Sequence, residues 1–343
     1  MINNPSGKEE YRMPIKPTIV LKSTISDEDL QFYRQMALGY CELNITEEEM
    51  DLETVKKHIE RFRSFDIEPV YLNVMTLQKS DIIDLNLTEK DGKPVSRDTE
   101  IEKFIKLVEL CHEVGIHYTS VAWQPFGVKS TDHAYVGQFS RGAHTRYVDI
   151  NEIQSRPNDM DREYTAEEVW DNFAYFLMKV TPVLLANDVQ MVMHPNDPPL
   201  PVTNGIASLV WNADDYRHIF ELDPEHVCMI KFCIGCWLEG GDKFGEVIPD
   251  ITEFIRQDRV AMIHFRNVSS PMCPTFEETL LEDGYADMYE IMRAILKAGY
   301  DKMIYVDHVF DQSVENFAYP LGYMKGLINA IQHELGTYSK DCK

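Results

Sequence analysis

The stretch "VQMVMHPNDPP" (189–199) decides the fold. An apolar run stops at His194, and Pro195, Pro198 and Pro199 then forbid the strand to continue. Short apolar runs without clean polar alternation are the mark of parallel strands covered by helices. Seven more occur: "TIVLKS" (18–23), "YCELN" (40–44), "IEPVYLNV" (67–74), "HYTSVAWQ" (117–124), "HVCMIKFC" (226–233), "RVAMIHF" (259–265) and "KMIYVDH" (302–308). Amphipathic stretches separate them. "SDEDLQFYRQMALG" (26–39) opens on an N-cap serine and is expected to close on Gly39. "DLETVKKHIERFRSF" (51–65) and "RDTEIEKFIKLVELCHEVG" (97–115) repeat apolar residues every three or four positions. Thr165 and Glu168 form a capping pattern ahead of 166–188, and the stretches 286–299 and 314–335 are helical, the last expected to start near Pro320. The stretches 212–222 and 242–257 are weaker helices of the same kind.

Strand alternating with helix eight times in 343 residues predicts an α/β protein with a single (β/α)8 TIM barrel over 17–338, preceded by a flexible arm over 1–16. A doubly wound open sheet is the competitor, but it usually carries a Gly-rich turn after its first strand, and none is present.

Composition narrows the function. The formal charge of −24, from 33 Lys+Arg against 57 Asp+Glu, repels phosphate backbones and argues against nucleic acid. No run approaches the ~18 apolar residues of a membrane span. The polar opening "MINNPSGKEEYRMPIKP" lacks the apolar core of a signal peptide, which predicts a cytoplasmic protein. Seven scattered cysteines, an odd number, do not form a disulfide framework.

In such a barrel the functional side chains stand at the C-terminal ends of the strands. Strands five to eight end on His194, Cys233, His264 and Asp307. Any one alone reads as a rim residue, a buried thiol or a turn cap. Together they would converge on the barrel mouth and hold one divalent ion. The donor types suit Zn²⁺ or Fe²⁺, with Mn²⁺ or Co²⁺ as alternatives. Cys236, three residues beyond Cys233, is expected to point elsewhere. Asp197 reads equally as a partner fixing a ligand or as a turn-former. Arg266, two residues past a proposed ligand, is placed to pair with a substrate carboxylate, with a salt bridge in the rim as its alternative. The segments 123–129 and 140–149 lie in a long excursion after strand four and read as a lid.

These residues resemble a known family. "MVMHPNDPP", "FCIGC", "HFRNV", "DGYADMYEIMRAILKAGY" and "DHV", in that order, resemble the mannonate dehydratase family of metal-dependent barrel enzymes, most clearly over 189–330. A weaker similarity is visible in "KSDIIDLNL" (79–87) and "RDTEIEKFIKLVELCHEVGI" (97–116). The resemblance implies dehydration of D-mannonate to 2-keto-3-deoxy-D-gluconate in hexuronate catabolism, with Mn²⁺ as the ion, on a chain that forms homo-oligomers. It places the metal ligands on His194, Cys233, His264 and Asp307, and a catalytic acid/base on His308. Where the family has Phe-His-Glu, this chain has "FEE", with Glu277 at the histidine position; a second family histidine is matched by Leu281. The family's tyrosine before the last helix falls on Ala318, with catalytic Tyr319 one residue away, and its glycine after Asp-His is Val309. The altered shell leaves two further readings. One is a sugar or sugar-acid isomerase or epimerase using the same ion. The other is a barrel that binds a sugar acid without turning it over.

Overall fold

The computed structural model describes residues 15–78, 89–90, 93–94, 96–125, 127–160 and 162–338. The first fourteen residues of the expected arm, the segment 79–87 and Cys342 lie outside them. Ile15 is already buried and Lys16 opens the first strand, so the barrel claims the last two residues assigned to the arm.

Eight strands build a parallel barrel: β1 (Lys16–Lys22), β2 (Tyr40–Ile45), β3 (Glu68–Val74), β4 (Tyr118–Val121), β5 (Gln190–Met193), β6 (Cys228–Cys233), β7 (Val260–Phe265) and β8 (Met303–Val306). Their order is β3-β2-β1-β8-β7-β6-β5-β4. At the seam between β3 and β4, the Tyr71 hydroxyl donates to the Thr119 carbonyl at 3.3 Å and lies 2.8 Å from the Ser120 hydroxyl. Every residue of β6 and of β7 is buried, as expected of strands with side chains in both the barrel and the helical layer. Inside the barrel, Lys231 on β6 pairs with Glu42 on β2 at 2.8 Å and lies 4.8 Å from the centre of the Tyr71 ring.

The outer layer is α1 (Asp27–Gln35), α2 (Leu52–Arg63), α3 (Arg97–Glu113), α4 (Ala166–Asn187), α5 (Ala213–Leu222), α6 (Val247–Arg256), α7 (Met288–Ala298) and α8 (Ala318–Leu335). α7 shows how sequence becomes packing. Met288, Ile291, Met292 and Ile295 fall on one face and are buried, each such side chain contributing roughly 1.5–3 kcal/mol. Asp287 caps its first amides and Gly299, at φ 87°, ends it in the left-handed conformation. The Thr165–Glu168 capping box forms as expected.

Two helix boundaries differ from expectation. α1 ends at Gln35, capped by Met36, rather than at Gly39, because Ala37 takes φ 52° and turns the chain toward β2. α8 starts at Ala318, and Pro320 sits in its first turn, where the amide it lacks would have had no helical partner. No helix among the described residues is long and apolar enough to cross a membrane.

The excursion after β4 is not a loose flap. Its strands Asp132–Tyr135 and Thr145–Asp149 join Thr275–Thr279 and Asn267–Val268 in an antiparallel sheet on the rim. Thr275, Phe276 and Glu277 lie opposite Asp149, Val148 and Tyr147, so the β4–α4 and β7–α7 connections are laddered together.

Candidate metal centre

Parallel register brings the strand ends level. Cys233 lies directly opposite His264 in the β6–β7 ladder, and His264 lies opposite Tyr305, two residues before Asp307. His194 follows β5 directly. One ligand atom from each of His194, Cys233 and His264 lies within 4.8 Å of the others. Asp307 adjoins them, with Oδ2 3.4 Å from His264 Nδ1 and 3.9 Å from Cys233 Sγ. The four side chains predicted from strand position therefore meet at one end of the barrel.

Their chemistry fits a divalent ion. His194 Nδ1 lies 2.7 Å from the Pro195 carbonyl, a contact that orients the ring and leaves Nε2 as the nitrogen available to an ion. His264 is buried with neither ring nitrogen in a hydrogen bond. Burial raises the Cys233 thiol, but a hydrogen bond from Cys236 and the charge of Arg266, helped by His194 and His264, hold it well below its ordinary value. A thiolate, two imidazoles and a carboxylate suit an ion of intermediate softness.

Behind the donors lies a buried network that the sequence did not reveal. Arg266 is 2% exposed. Its Nη2 donates to Asp197 Oδ2 at 3.1 Å, pairs with Glu239 Oε1 at 3.0 Å and reaches Cys233 Sγ at 3.4 Å. Its Nε faces Asp307 Oδ2 at 3.3 Å, and its Nη1 pairs with Glu278. Nη1 and Nη2 are thus committed to the protein, while Nε stands at ion-pair distance from Asp307 without a hydrogen bond. Arg266 also lines the cavity beside Asp307, where the expected pair with a substrate carboxylate would form, and its contacts are the internal salt bridge of its alternative reading. Gly235 permits this, since a Cβ there would stand 2.2 Å from Arg266 Nε.

Arg146, from the rim strand Thr145–Asp149, enters the same network. Its Nη2 donates to Asp197 Oδ1 at 2.6 Å, and its Nη1 reaches Glu278 at 3.1 Å and Glu239 at 3.4 Å. Asp197 is therefore an ion-pair partner of Arg146 and Arg266 behind the donor cluster. Burial and the neighbouring Asp197 charge push the Glu239 carboxyl well up. With Glu239 protonated, the carboxylates of Asp197, Glu278 and Asp307 and the Cys233 thiolate face the guanidinium groups of Arg146 and Arg266 and the imidazole of His308. Cys236 was expected to point away. The helix Ile234–Gly240 begins straight after Cys233 and turns its thiol back to within 3.8 Å of Arg266 Nη2.

A cavity of about 260 Å³ opens beside Asp307, its wall including Thr145, Leu281, His308, Asp311, Asn316 and Tyr319. His308 takes φ 54° and sets Nδ1 2.7 Å from Glu278 Oε1, with Nε2 3.7 Å from Asp307 Oδ1. Burial pulls its pKa down, but Asp307 and Glu278 overcome that and raise it to about 9. Tyr319 stands 57% exposed at the cavity mouth, its hydroxyl 2.5 Å from Glu282 Oε1, and is not part of the donor cluster. Glu277 does not line this cavity. Burial raises its carboxyl, and the amides of Gln138 and Phe139 hold it from the rim loop. Of the residues missed, Glu278 had a signal in the "FEE" match; Arg146 and Glu239 had none.

The model of the family described as D-mannonate dehydratase (UxuA) matches residues 149–337. Mannonate dehydratase 1 of Halalkalibacterium halodurans is 34% identical over 146 residues, 42% of this chain and 39% of that protein. Mannonate dehydratase of Lactococcus lactis subsp. lactis is 26% identical over 273 residues, 75% of this chain and 66% of that one. The chain thus spans between two fifths and two thirds of the length of these curated relatives. Among solved structures, mannonate dehydratase from Streptococcus suis serotype 2 superposes with a TM-score of 0.82 at 16% identity, covering 96% of both chains. A xylose isomerase-like TIM barrel protein from Mycobacterium smegmatis, in complex with magnesium, gives 0.62 at 10% identity, covering 93% of this chain and 97% of that one. At those identities both support the barrel alone. The family match runs from the end of the Arg146 strand through α8, more than half of the molecule, and the chain belongs to the D-mannonate dehydratase (UxuA) family.

Proposed function

We propose that the protein is a hydro-lyase acting on a sugar acid, D-mannonate to 2-keto-3-deoxy-D-gluconate, in hexuronate breakdown in the cytoplasm. His194, Cys233, His264 and Asp307 would hold a divalent ion, Mn²⁺ by family resemblance. The observation that carries the reading is the convergence of these donors beside a cavity of sugar size, in a chain of this family. A divalent ion held there would stabilise the negative charge that builds up when the proton next to the substrate carboxylate is removed.

The side chains around the cavity do the rest. Glu278 holds Nδ1 of His308, which leaves Nε2 as the nitrogen that exchanges a proton with substrate. His308 Nε2 would take the proton next to the carboxylate and hand it to the departing hydroxyl, so that water leaves and the imidazole is regenerated. Tyr319 orients the hydroxyl-bearing chain from the mouth. Leu281, buried in the wall, gives that side of the cavity an apolar surface where the family resemblance expects a histidine. Arg266, which also lines the cavity, would act through the donors it contacts, Cys233 and Asp307.

Incubation of Mn²⁺-loaded protein with D-mannonate, with assay for a 2-keto-3-deoxy acid, tests the reading. No product over hours would refute it. Running the reaction in deuterated water separates dehydration from epimerisation, because an epimerase would incorporate deuterium with every hydroxyl kept.

A further inference from the structure

Asp197, Cys236 and Glu239 form a second group of metal-type donors, all buried and with ligand atoms within 4.8 Å of one another. Arg266 Nη2 contacts all three, at 3.1 Å from Asp197 Oδ2, 3.0 Å from Glu239 Oε1 and 3.8 Å from Cys236 Sγ. The same nitrogen reaches Cys233, a donor of the first group, at 3.4 Å. The other oxygen of Glu239, Oε2, is buried without a hydrogen-bond partner. Two neighbouring cation positions sharing one bridging donor is the arrangement of two-metal sites, whose ions stand roughly 3.5–4 Å apart. Here one position holds a guanidinium, a cation that proteins do not deprotonate.

The geometry points to Arg266 as a built-in second cation: its Nη2 fills what would otherwise be a second metal position made by Asp197, Cys236 and Glu239, and shares Cys233 with the divalent ion. The inference rests on the reading of His194, Cys233, His264 and Asp307 as the ion's ligands, and makes Arg266 a positioning residue that keeps the centre mononuclear. Gly235 fits the same account, since its missing side chain is what lets the guanidinium lie against the backbone between Cys233 and Cys236. Arg146 does not substitute for Arg266. It reaches Asp197 and Glu239 from the rim side, and no contact joins it to either sulfur among the described residues.

Metal counting with Co²⁺ tests this, because cobalt reports thiolate ligation through a sulfur-to-metal charge-transfer band. Wild-type protein is expected to take up one Co²⁺ per chain. Arg266→Ala is expected to take up two, with a stronger charge-transfer band, and Arg266→Ala/Cys236→Ala should lose that increment. One Co²⁺ in wild type and still one in folded Arg266→Ala overturns the inference and leaves the proposed centre intact. No Co²⁺ in wild type removes the centre, and the inference with it. Two Co²⁺ in wild type overturns the inference directly. Should Arg266→Ala be unfolded without metal, Co²⁺ is expected to restore folding, followed by thermal denaturation; a variant that stays unfolded in saturating Co²⁺ also overturns it, since a divalent ion would more than replace the missing charge.

Discussion

Nδ1 of His308 lies 2.7 Å from Oε1 of Glu278, and the same oxygen accepts from Arg146 Nη1 at 3.1 Å. One carboxylate thus connects the cavity-facing imidazole to the rim sheet. Glu278→Gln is expected to cost about 10–100-fold in turnover, the usual penalty for losing a partner behind a working histidine. Steady-state rates together with metal content check it; an unchanged kcat would show that Glu278 does not orient His308.

Removal of the ion should cost stability as well as activity. A ligand at a hundredfold excess over its Kd stabilises the folded state by about 2.7 kcal/mol. Chelation is therefore expected to lower the melting temperature by several degrees, and Mn²⁺ to restore it. Identical calorimetric traces with and without chelator would argue against the donor cluster as an ion site.

Cys233→Ser exchanges a soft donor for a hard, weak one. Affinity for Zn²⁺ and Co²⁺ should fall more steeply than affinity for Mn²⁺. Competition titrations that found all three weakened equally would remove the thiolate from the coordination shell.

At Gly235 a methyl group would collide with Arg266 Nε, and that guanidinium cannot swing aside without breaking its contacts to Asp197, Glu239 and Asp307. Gly235→Ala is expected to destabilise by about 1–3 kcal/mol, the range for overpacking. Denaturant unfolding reads this directly, and a midpoint equal to wild type would mean that the backbone there yields freely.

Asp215, at the start of α5, accepts from the amides of Trp211 and Asn212, yet burial raises its pKa from 3.8 to about 6. Between those values the folded chain holds a proton that the unfolded chain has released, so this group's contribution to stability falls as pH rises from about 4 to about 6. Asp215→Asn should flatten that slope and gain roughly 1 kcal/mol at pH 7, after allowance for solvent screening and one weakened acceptor. Melting curves across that range decide; a slope equal to wild type would show that Asp215 titrates normally.

The barrel was readable because each strand carries an apolar run that needs cover on both sides, and such runs occur eight times. The donors were readable because a parallel sheet aligns strand ends, so His194, Cys233, His264 and Asp307 stand out by position. What lay beyond reading depends on contacts between distant segments. Arg146 and Glu239 meet across 93 residues, Arg146 and Glu278 across 132, and nothing near Arg146 in "SRGAHTRYVD" distinguishes it from a solvated surface charge. Cys236 was misjudged for a local reason: the chain enters a helix one residue after Cys233, where a loop was expected.

In most barrels each connecting segment at the mouth varies on its own, which is how one scaffold hosts many chemistries. Here Tyr147 from one segment and Glu277 from another stand opposite each other in a ladder, and Arg146 and Glu278, their sequence neighbours, pair in the buried network beneath. Neither segment can be exchanged alone without unpairing the other. Any re-engineering of selectivity in this molecule must therefore graft the two as a matched set.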